Sequence, residues 1–122
     1  MKGYIMVVED SSDEREALQL TLEMRGYSVV ALADGQSALA YLRQTEQLPY
    51  LISLDLMMRG TNGWEFRNAQ LGDSRLAAIP VVICSGDGRL AEKGFALGLT
   101  EQLDKPIERA ELFAIVARHD AH

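Results

Sequence analysis

Five side chains with acid–base or ligand chemistry stand at or just past the ends of short strand-like segments of the sequence. They are Glu9 and Asp10, Asp55, Ser85, and Lys105. A carboxylate is costly inside a buried strand, but at the strand's carboxyl end it can face solvent and meet a ligand. Three carboxylates that gather in one place need a counter-charge. With a hard cation such as Mg²⁺, an ammonium and a hydroxyl beside them, they could hold a phosphoryl group by its oxygens.

A parallel sheet would bring these side chains together. The sequence offers five short strand candidates, which are Tyr4–Val8, Tyr27–Leu32, Leu51–Asp55, Val81–Cys84 and Glu101–Asp104. Continuous apolar runs of this length are typical of strands that are buried on both faces. Strand and helix patterns alternate five times, which predicts an α/β domain with helices on both faces of the sheet. Because the carboxyl ends of parallel strands lie on one edge, the polar side chains are expected to converge in one cleft.

The helix boundaries carry capping signals. Ser11 and Glu14 have the spacing of a capping box, and Asp34 can cap the second helix. Asp13 and Glu14 could extend the acidic cleft, but the favourable effect of negative charge at a helix N-terminus explains both residues sufficiently. A fourth helix is expected over Arg89–Leu97, and Pro106 suits the first turn of the last helix.

Composition and charge narrow the class of protein. The 122 residues fit one domain, and the formal net charge of -6 argues against binding to nucleic acid or to an anionic membrane. No apolar stretch is long enough for a signal peptide or a membrane span. The single cysteine, Cys84, lies within an apolar run and is interpreted as a small buried residue. We therefore expect a cytoplasmic protein with neither nucleic acid nor membrane as a partner.

The order of the motifs resembles the receiver domain of two-component response regulators over essentially the whole chain. The matching motifs are the acidic pair Glu9-Asp10, Asp55 within Leu54–Met58, Gly63 with Glu65, the run from Pro80 to Ser85-Gly86, and Lys105-Pro106. The resemblance implies a doubly wound, flavodoxin-like α/β fold: a five-stranded parallel sheet of order 2-1-3-4-5 with five helices. Residues 1–122 would form a single receiver domain, without an output domain in this chain.

The resemblance also implies a phosphoacceptor site. Asp55 would take a phosphoryl group from a phosphohistidine on a sensor histidine kinase or a histidine phosphotransfer protein. Asp10, Asp55 and the backbone carbonyl of Met57 would bind Mg²⁺ directly, and Glu9 would act on it mostly through water. The product would be an aspartyl phosphate, so the chain would be a signalling domain that assists its own phosphorylation rather than an enzyme.

The remaining implied roles concern the phosphoryl group and the output. Ser85 would donate a hydrogen bond to a phosphoryl oxygen. Lys105 would pair with Asp55 before phosphorylation and with the phosphoryl group afterwards, and Pro106 would follow a cis peptide bond. The added charge would switch a surface that binds an output partner protein, whose identity the sequence does not give.

The sequence departs from the family pattern at several positions. Glu9 stands where the family usually has Asp, Arg59 where it often has Pro, and Gln102 where many members have an aromatic residue. The segment from Ser85 to Gly98 is shorter than the common pattern. The sequence therefore supports the phosphoacceptor site better than it supports the usual relay from serine to an aromatic side chain.

The sequence also bears on three alternative functions. A degenerate receiver that binds partners without phosphorylation stays open because of Glu9 and Gln102. A phosphohydrolase of the haloacid-dehalogenase type should carry an Asp-x-Asp signature at the end of the first strand, where this chain has Glu9-Asp10. A nucleotide- or flavin-binding module should have a Gly-rich or Ser/Thr-rich loop there, and two acids would instead repel phosphate unless a metal were bound.

Overall fold

The computed structural model of the chain describes residues 3–56, 63–86 and 101–120. The strands within these ranges are β1 (Ile5–Val8), β2 (Val29–Leu32), β3 (Leu51–Asp55), β4 (Val81–Ser85) and β5 (Gln102–Asp104). The helices are α1 (Ser12–Met24), α2 (Gly35–Gln44), α3 (Gly63–Leu71) and α4 (Arg109–Asp120). The helix expected over Arg89–Leu97, the carbonyl of Met57 and the side chain of Arg59 lie outside the described residues.

All five strands are parallel and lie in the order β2-β1-β3-β4-β5, which confirms the doubly wound sheet. The chain runs from β1 outward to β2, returns to β3 on the other side of β1, and continues outward to β5. The strand order therefore reverses between β1 and β3, where α/β sheets of this type bind ligands at the carboxyl ends. Val8 stands opposite Leu54 and Asp55 opposite Cys84, so these strand ends share one edge.

Successive side chains of each strand enter two different cores, because they point alternately to the two faces of the sheet. Met6 and Val8 of β1 pack in one core with residues of α2 and α3, including Phe66. Ile5 and Val7 pack in the other core with residues of α1 and α4. The helices therefore cover both faces, as the uninterrupted apolar strands predicted.

The helix starts follow the predicted caps in two cases and differ in a third. Ser11 Oγ accepts a hydrogen bond from the Glu14 amide at 3.3 Å, but the Ser11 amide donates to Glu9 Oε1 rather than to the Glu14 carboxylate, so only the serine half of the capping box forms. Asp34 Oδ1 accepts one from the Ser37 amide at 2.6 Å, and these hydrogen bonds lower the pKa of Asp34. The placement of Pro106 in the first turn of the last helix was wrong, because α4 begins only at Arg109. In the described ranges, no helix is long and apolar enough to cross a membrane.

Candidate functional site

Three carboxylates meet at the carboxyl edge of the sheet, at the point where the strand order reverses. Glu9 and Asp10 follow β1 directly, and Asp55 is the last residue of β3. One oxygen from each side chain lies within 4.8 Å of the others. Glu9 is only 3% exposed and Asp55 5%, whereas Asp10 is half-buried. The structure therefore brings together the three acids that the sequence singled out.

Lys105, directly after β5, supplies the positive charge of this cluster. Its Nζ lies 2.8 Å from Glu9 Oε2, 2.9 Å from Glu14 Oε2 and 3.7 Å from Asp55 Oδ2. The Lys105 amide donates to the Ser85 carbonyl at 3.0 Å, which extends the pairing of β5 with β4 by one residue. This backbone contact aims the lysine at the same edge as the carboxylates. The peptide bond between Lys105 and Pro106 is cis, as the resemblance implied.

Glu14 is the member of the cluster to which the sequence analysis preferred to give a helix-capping role. Its position in the first turn of α1 was explained by helix charge alone, but its carboxylate also hydrogen-bonds to Lys105. The signal was present in the sequence, because side chains of a helix tilt toward its N-terminus. An acid in the first turn of α1 therefore reaches back toward the edge of the sheet. The closest partners of Lys105 are accordingly Glu9 and Glu14, with Asp55 at ion-pair distance.

Arg15 forms hydrogen bonds with the loop that carries the acidic pair. Its Nη1 donates to the carbonyl of Glu9 at 2.9 Å and to that of Asp10 at 3.5 Å. In the same loop, the amide of Ser11 donates to Glu9 Oε1 at 3.3 Å. The sequence analysis did not single out Arg15. In the fold it helps to hold the two acids at the end of β1.

The electrostatics of the cluster follow from burial and from the ammonium of Lys105. Burial raises the pKa of Glu9 to about 7, against the opposing effect of its hydrogen bond to Lys105. Burial alone would lower the pKa of Lys105, but its hydrogen bonds to Glu9 and Glu14 outweigh this and raise it. The hydrogen bond to Lys105 lowers the pKa of Glu14. Near neutral pH, Lys105 is therefore an ammonium, Glu14 is a carboxylate, and Glu9 is close to its titration point.

The donor set fits a hard divalent cation. Mg²⁺ prefers oxygen ligands at about 2.0–2.1 Å, so two directly bound oxygens can stand up to about 4.2 Å apart. One oxygen from each of the three carboxylates lies within 4.8 Å of the others, which is compatible with binding such an ion directly or through an intervening water. The residues that could hold the ion are Glu9, Asp10 and Asp55.

Ser85 ends β4 at the same edge and is 1% exposed. It stands one residue beyond Cys84, which is the register partner of Asp55. The Cys84 thiol lies 3.2 Å from Ser53 Oγ, and burial raises its pKa to about 11. The interpretation of Cys84 as a small buried residue is confirmed.

Gly63 allows α3 to start against the end of β3. A Cβ on Gly63 would lie 2.6 Å from the Cα of Leu56 and 2.9 Å from the carbonyl oxygen of Asp55. The Gly63 amide donates to the Leu56 carbonyl at 3.2 Å. Trp64 is half-buried and packs on Leu56 and Ile83. Glycine at position 63 therefore permits the close approach that fixes the backbone beside Asp55.

The edge strand β5 carries one of the departures noted in the sequence. Gln102 lies at the start of β5 and is exposed, in the position where many family members have an aromatic side chain. Among the residues described in the structure, β5 is an edge strand of only three residues, with Leu103 as its buried member. An amide side chain on this strand offers much less apolar contact area than an aromatic ring would.

Comparison with known proteins places these features in a family. A family model described as the response regulator receiver domain matches residues 5–117. The chain is 32% identical over 114 residues to the DNA-binding dual master transcriptional regulator RpaA of Synechocystis sp., covering 92% of this chain and 46% of that protein. It is 29% identical over 114 residues to Protein PilH of Pseudomonas aeruginosa, covering 92% of this chain and 93% of that protein. The chain thus spans about half the length of several curated relatives, but nearly all of PilH.

Solved structures show the same architecture. A putative response regulator from Chloroflexus aurantiacus superposes with a TM-score of 0.89 at 26% identity, covering 100% of both chains. A response regulator receiver protein from Pseudomonas putida superposes with a TM-score of 0.86 at 28% identity, covering 97% of this chain and 98% of that one.

Proposed function

The chain belongs to the response regulator receiver domain family, and from this membership we propose that it accepts a phosphoryl group on Asp55. One observation carries the proposal. Asp55 lies 3.7 Å from the Lys105 ammonium, and its oxygen is within 4.8 Å of the Glu9 and Asp10 oxygens. A weak carboxylate nucleophile needs this kind of positioning and charge neutralisation rather than a strong base.

The proposed reaction is an in-line transfer from a phosphohistidine. An oxygen of Asp55 attacks the phosphorus, the new P–O bond forms, and the P–N bond to the donor imidazole breaks with its electron pair going to that nitrogen. Mg²⁺, held by Glu9, Asp10, Asp55 and the carbonyl of Met57, would neutralise charge on the transferred oxygens. The donor class is a sensor histidine kinase or a histidine phosphotransfer protein.

Lys105 and Ser85 would stabilise the product. The Lys105 ammonium stands close enough to Asp55 to follow the negative charge from the carboxylate to the phosphoryl oxygens. The Ser85 hydroxyl, at the carboxyl end of the neighbouring strand, would donate to one of those oxygens. Residues 1–122 would act as one receiver unit that takes part in its own phosphorylation, rather than as an enzyme for a separate substrate.

The new charge would bias a surface that binds an output partner. Phosphorylation switches of this kind act through a local change in charge that stabilises one of two arrangements. Because Gln102 replaces an aromatic residue, that surface would respond through the backbone and charge around Ser85 rather than through a ring.

A degenerate receiver that binds partners without phosphorylation is the second candidate. The observation that favours it is the pairing of Lys105, whose hydrogen bonds go to Glu9 and Glu14 rather than to Asp55. A lysine held in this way could serve as a purely structural counter-ion.

Intact-mass measurement separates the two functions. The wild type and Asp55→Asn would be treated with a small phosphodonor, with and without Mg²⁺. A Mg²⁺-dependent gain of one phosphoryl group on the wild type alone supports the phosphoacceptor. No gain, together with absent Mg²⁺ binding in calorimetry, would favour the degenerate receiver. If Mg²⁺ binds without a lasting adduct, a stable complex with beryllofluoride would support the phosphoacceptor, because it would show that the site accepts an analogue of the phosphoryl group.

A further inference from the structure

Glu14 is the acid of the cluster that the proposed phosphoryl transfer does not use. Its Oε2 lies 2.9 Å from Lys105 Nζ, and its side chain is 51% exposed, whereas that of Glu9 is 5% exposed. The helix cap does not depend on this carboxylate, because the cap uses the Glu14 backbone amide and the Ser11 hydroxyl. The Glu14 side chain is therefore available to act on Lys105.

Lys105 has more carboxylates around it than one ammonium can neutralise. Two hydrogen bonds go to Glu9 and Glu14, and Asp55 stands at 3.7 Å. Each carboxylate at the ammonium cancels part of the positive potential that an incoming phosphoryl group needs. Glu9 also belongs to the set that fits a cation, which would compensate its charge. Glu14 opposes the incoming anion without contributing to that set.

The Lys105–Glu14 pair is reachable from solvent. It borders an open cavity of about 280 Å³ between α1 and α4. Glu9, Glu14 and Lys105 line this cavity on the side of the sheet edge, and the rest is lined by apolar residues such as Leu18 and Ile107 together with Thr21 and Arg109. A donor that approaches Asp55 from this side would meet the carboxylate of Glu14 at the rim. Rim charges act mainly on the rate and salt dependence of association with charged partners.

We propose that Glu14 is a positioning residue that competes with the phosphoryl group for Lys105 and so slows phosphorylation of Asp55. The inference rests on the proposed function, since it concerns the same site. Glu14→Gln keeps the shape and the hydrogen-bonding capacity of the side chain but removes its charge. The pair is half-exposed on the glutamate side, and exposed ion pairs of this kind correspond to about two- to fivefold in an equilibrium or rate.

The test compares three proteins at saturating Mg²⁺: the wild type, Glu14→Gln and Asp13→Asn. Asp13 is the matched control, because it is an exposed acid in the same helical turn and, in the described part of the chain, makes no ion pair with Lys105. Two quantities are measured: kcat/KM for a small anionic phosphodonor, and the affinity for beryllofluoride by ¹⁹F NMR. Glu14→Gln should raise both by about two- to fivefold over Asp13→Asn.

Salt distinguishes competition for charge from a structural effect. The Debye length falls from about 10 Å at 0.1 M salt to about 3 Å at 1 M, so the advantage of Glu14→Gln should shrink toward one at high salt. An advantage that salt leaves unchanged would overturn the proposal, as would a Glu14→Gln protein that is no faster than Asp13→Asn. If the wild type itself takes neither phosphoryl group nor beryllofluoride, it is the proposed function that fails, and the role of Glu14 fails with it.

Discussion

The pH dependence of stability should change when Glu9 is replaced by glutamine. Burial raises the pKa of Glu9 from 4.5 to about 7 in the fold. A carboxyl whose folded pKa is raised stabilises the fold fully below its unfolded pKa and loses that contribution as the pH rises through its folded pKa. In the absence of metal, the wild type should therefore lose stability relative to Glu9→Gln as the pH rises from about 4.5 to about 7.

The size of the effect follows from the shift. Each pKa unit corresponds to about 1.4 kcal/mol, so the shift from 4.5 to about 7 amounts to roughly 3 kcal/mol between pH 4 and pH 8. Glu9 is 3% exposed, so solvent screens little of this difference. Lys105, Glu14 and Asp55 are present in both the wild type and Glu9→Gln. The pH dependence of the difference between the two free energies of unfolding therefore reports on Glu9 and its coupling to these neighbours.

Urea unfolding in EDTA at pH 5, 6, 7 and 8 measures this difference. The gap between the free energies of unfolding of Glu9→Gln and the wild type should grow in favour of the variant with rising pH and level off above pH 7. The control is Glu16→Gln, which removes an exposed acid from α1. The gap between Glu16→Gln and the wild type should not grow with pH in this way. Parallel stability curves for the wild type and Glu9→Gln across this range would refute the reasoning.

Three further predictions concern the frame around the site. Gly63→Ala should lower the free energy of unfolding by about 1–3 kcal/mol, because its methyl would lie 2.6 Å from the Leu56 Cα. The control Gly72→Ala, whose methyl would make no contact under 3.5 Å, should cost less. Equal urea midpoints for the two variants would contradict this prediction. Ser11→Ala should lower the free energy of unfolding by about 0.5–2 kcal/mol in the same assay, because it removes the N-cap of α1. An equal loss in the control Ser12→Ala would argue against this capping role. Cys84 should react with a thiol reagent at pH 8 only after unfolding, because burial raises its pKa to about 11; equally fast labelling of the folded chain would show the burial to be wrong.

The fold and most of the acidic cluster could be predicted because their signals are local. Apolar runs marked the first four strands, and the pair Ser11–Glu14 and the capping residue Asp34 marked two helix starts. Once the strands are parallel, the positions of Glu9, Asp10 and Asp55 at strand ends follow from topology alone. These inferences needed only periodicity, capping and the geometry of parallel sheets.

The contacts of Lys105 could not be predicted in detail, because they depend on how side chains settle between distant segments. Lys105 and Glu14 are 91 residues apart in sequence, and their contact requires both the position of β5 and the direction of the first turn of α1. The pKa of Glu9 in this cluster depends on how deeply its carboxylate is buried, and the sequence does not give the burial of individual side chains. The start of α4 at Arg109 was missed for a related reason, since a proline fits both a helix's first turn and the turn before it.

The phosphoacceptor assignment is tested most directly by locating the modified residue. After treatment with a small phosphodonor, borohydride reduces an acyl phosphate to an alcohol, and trypsin would release the peptide of residues 44–59, in which Asp55 and Glu46 are the only acids. We expect reduction at Asp55 only when both the donor and Mg²⁺ were present. Reduction in the peptide of residues 3–15, which carries Glu9 and Asp10, or at Asp55 to the same extent without Mg²⁺, would contradict it.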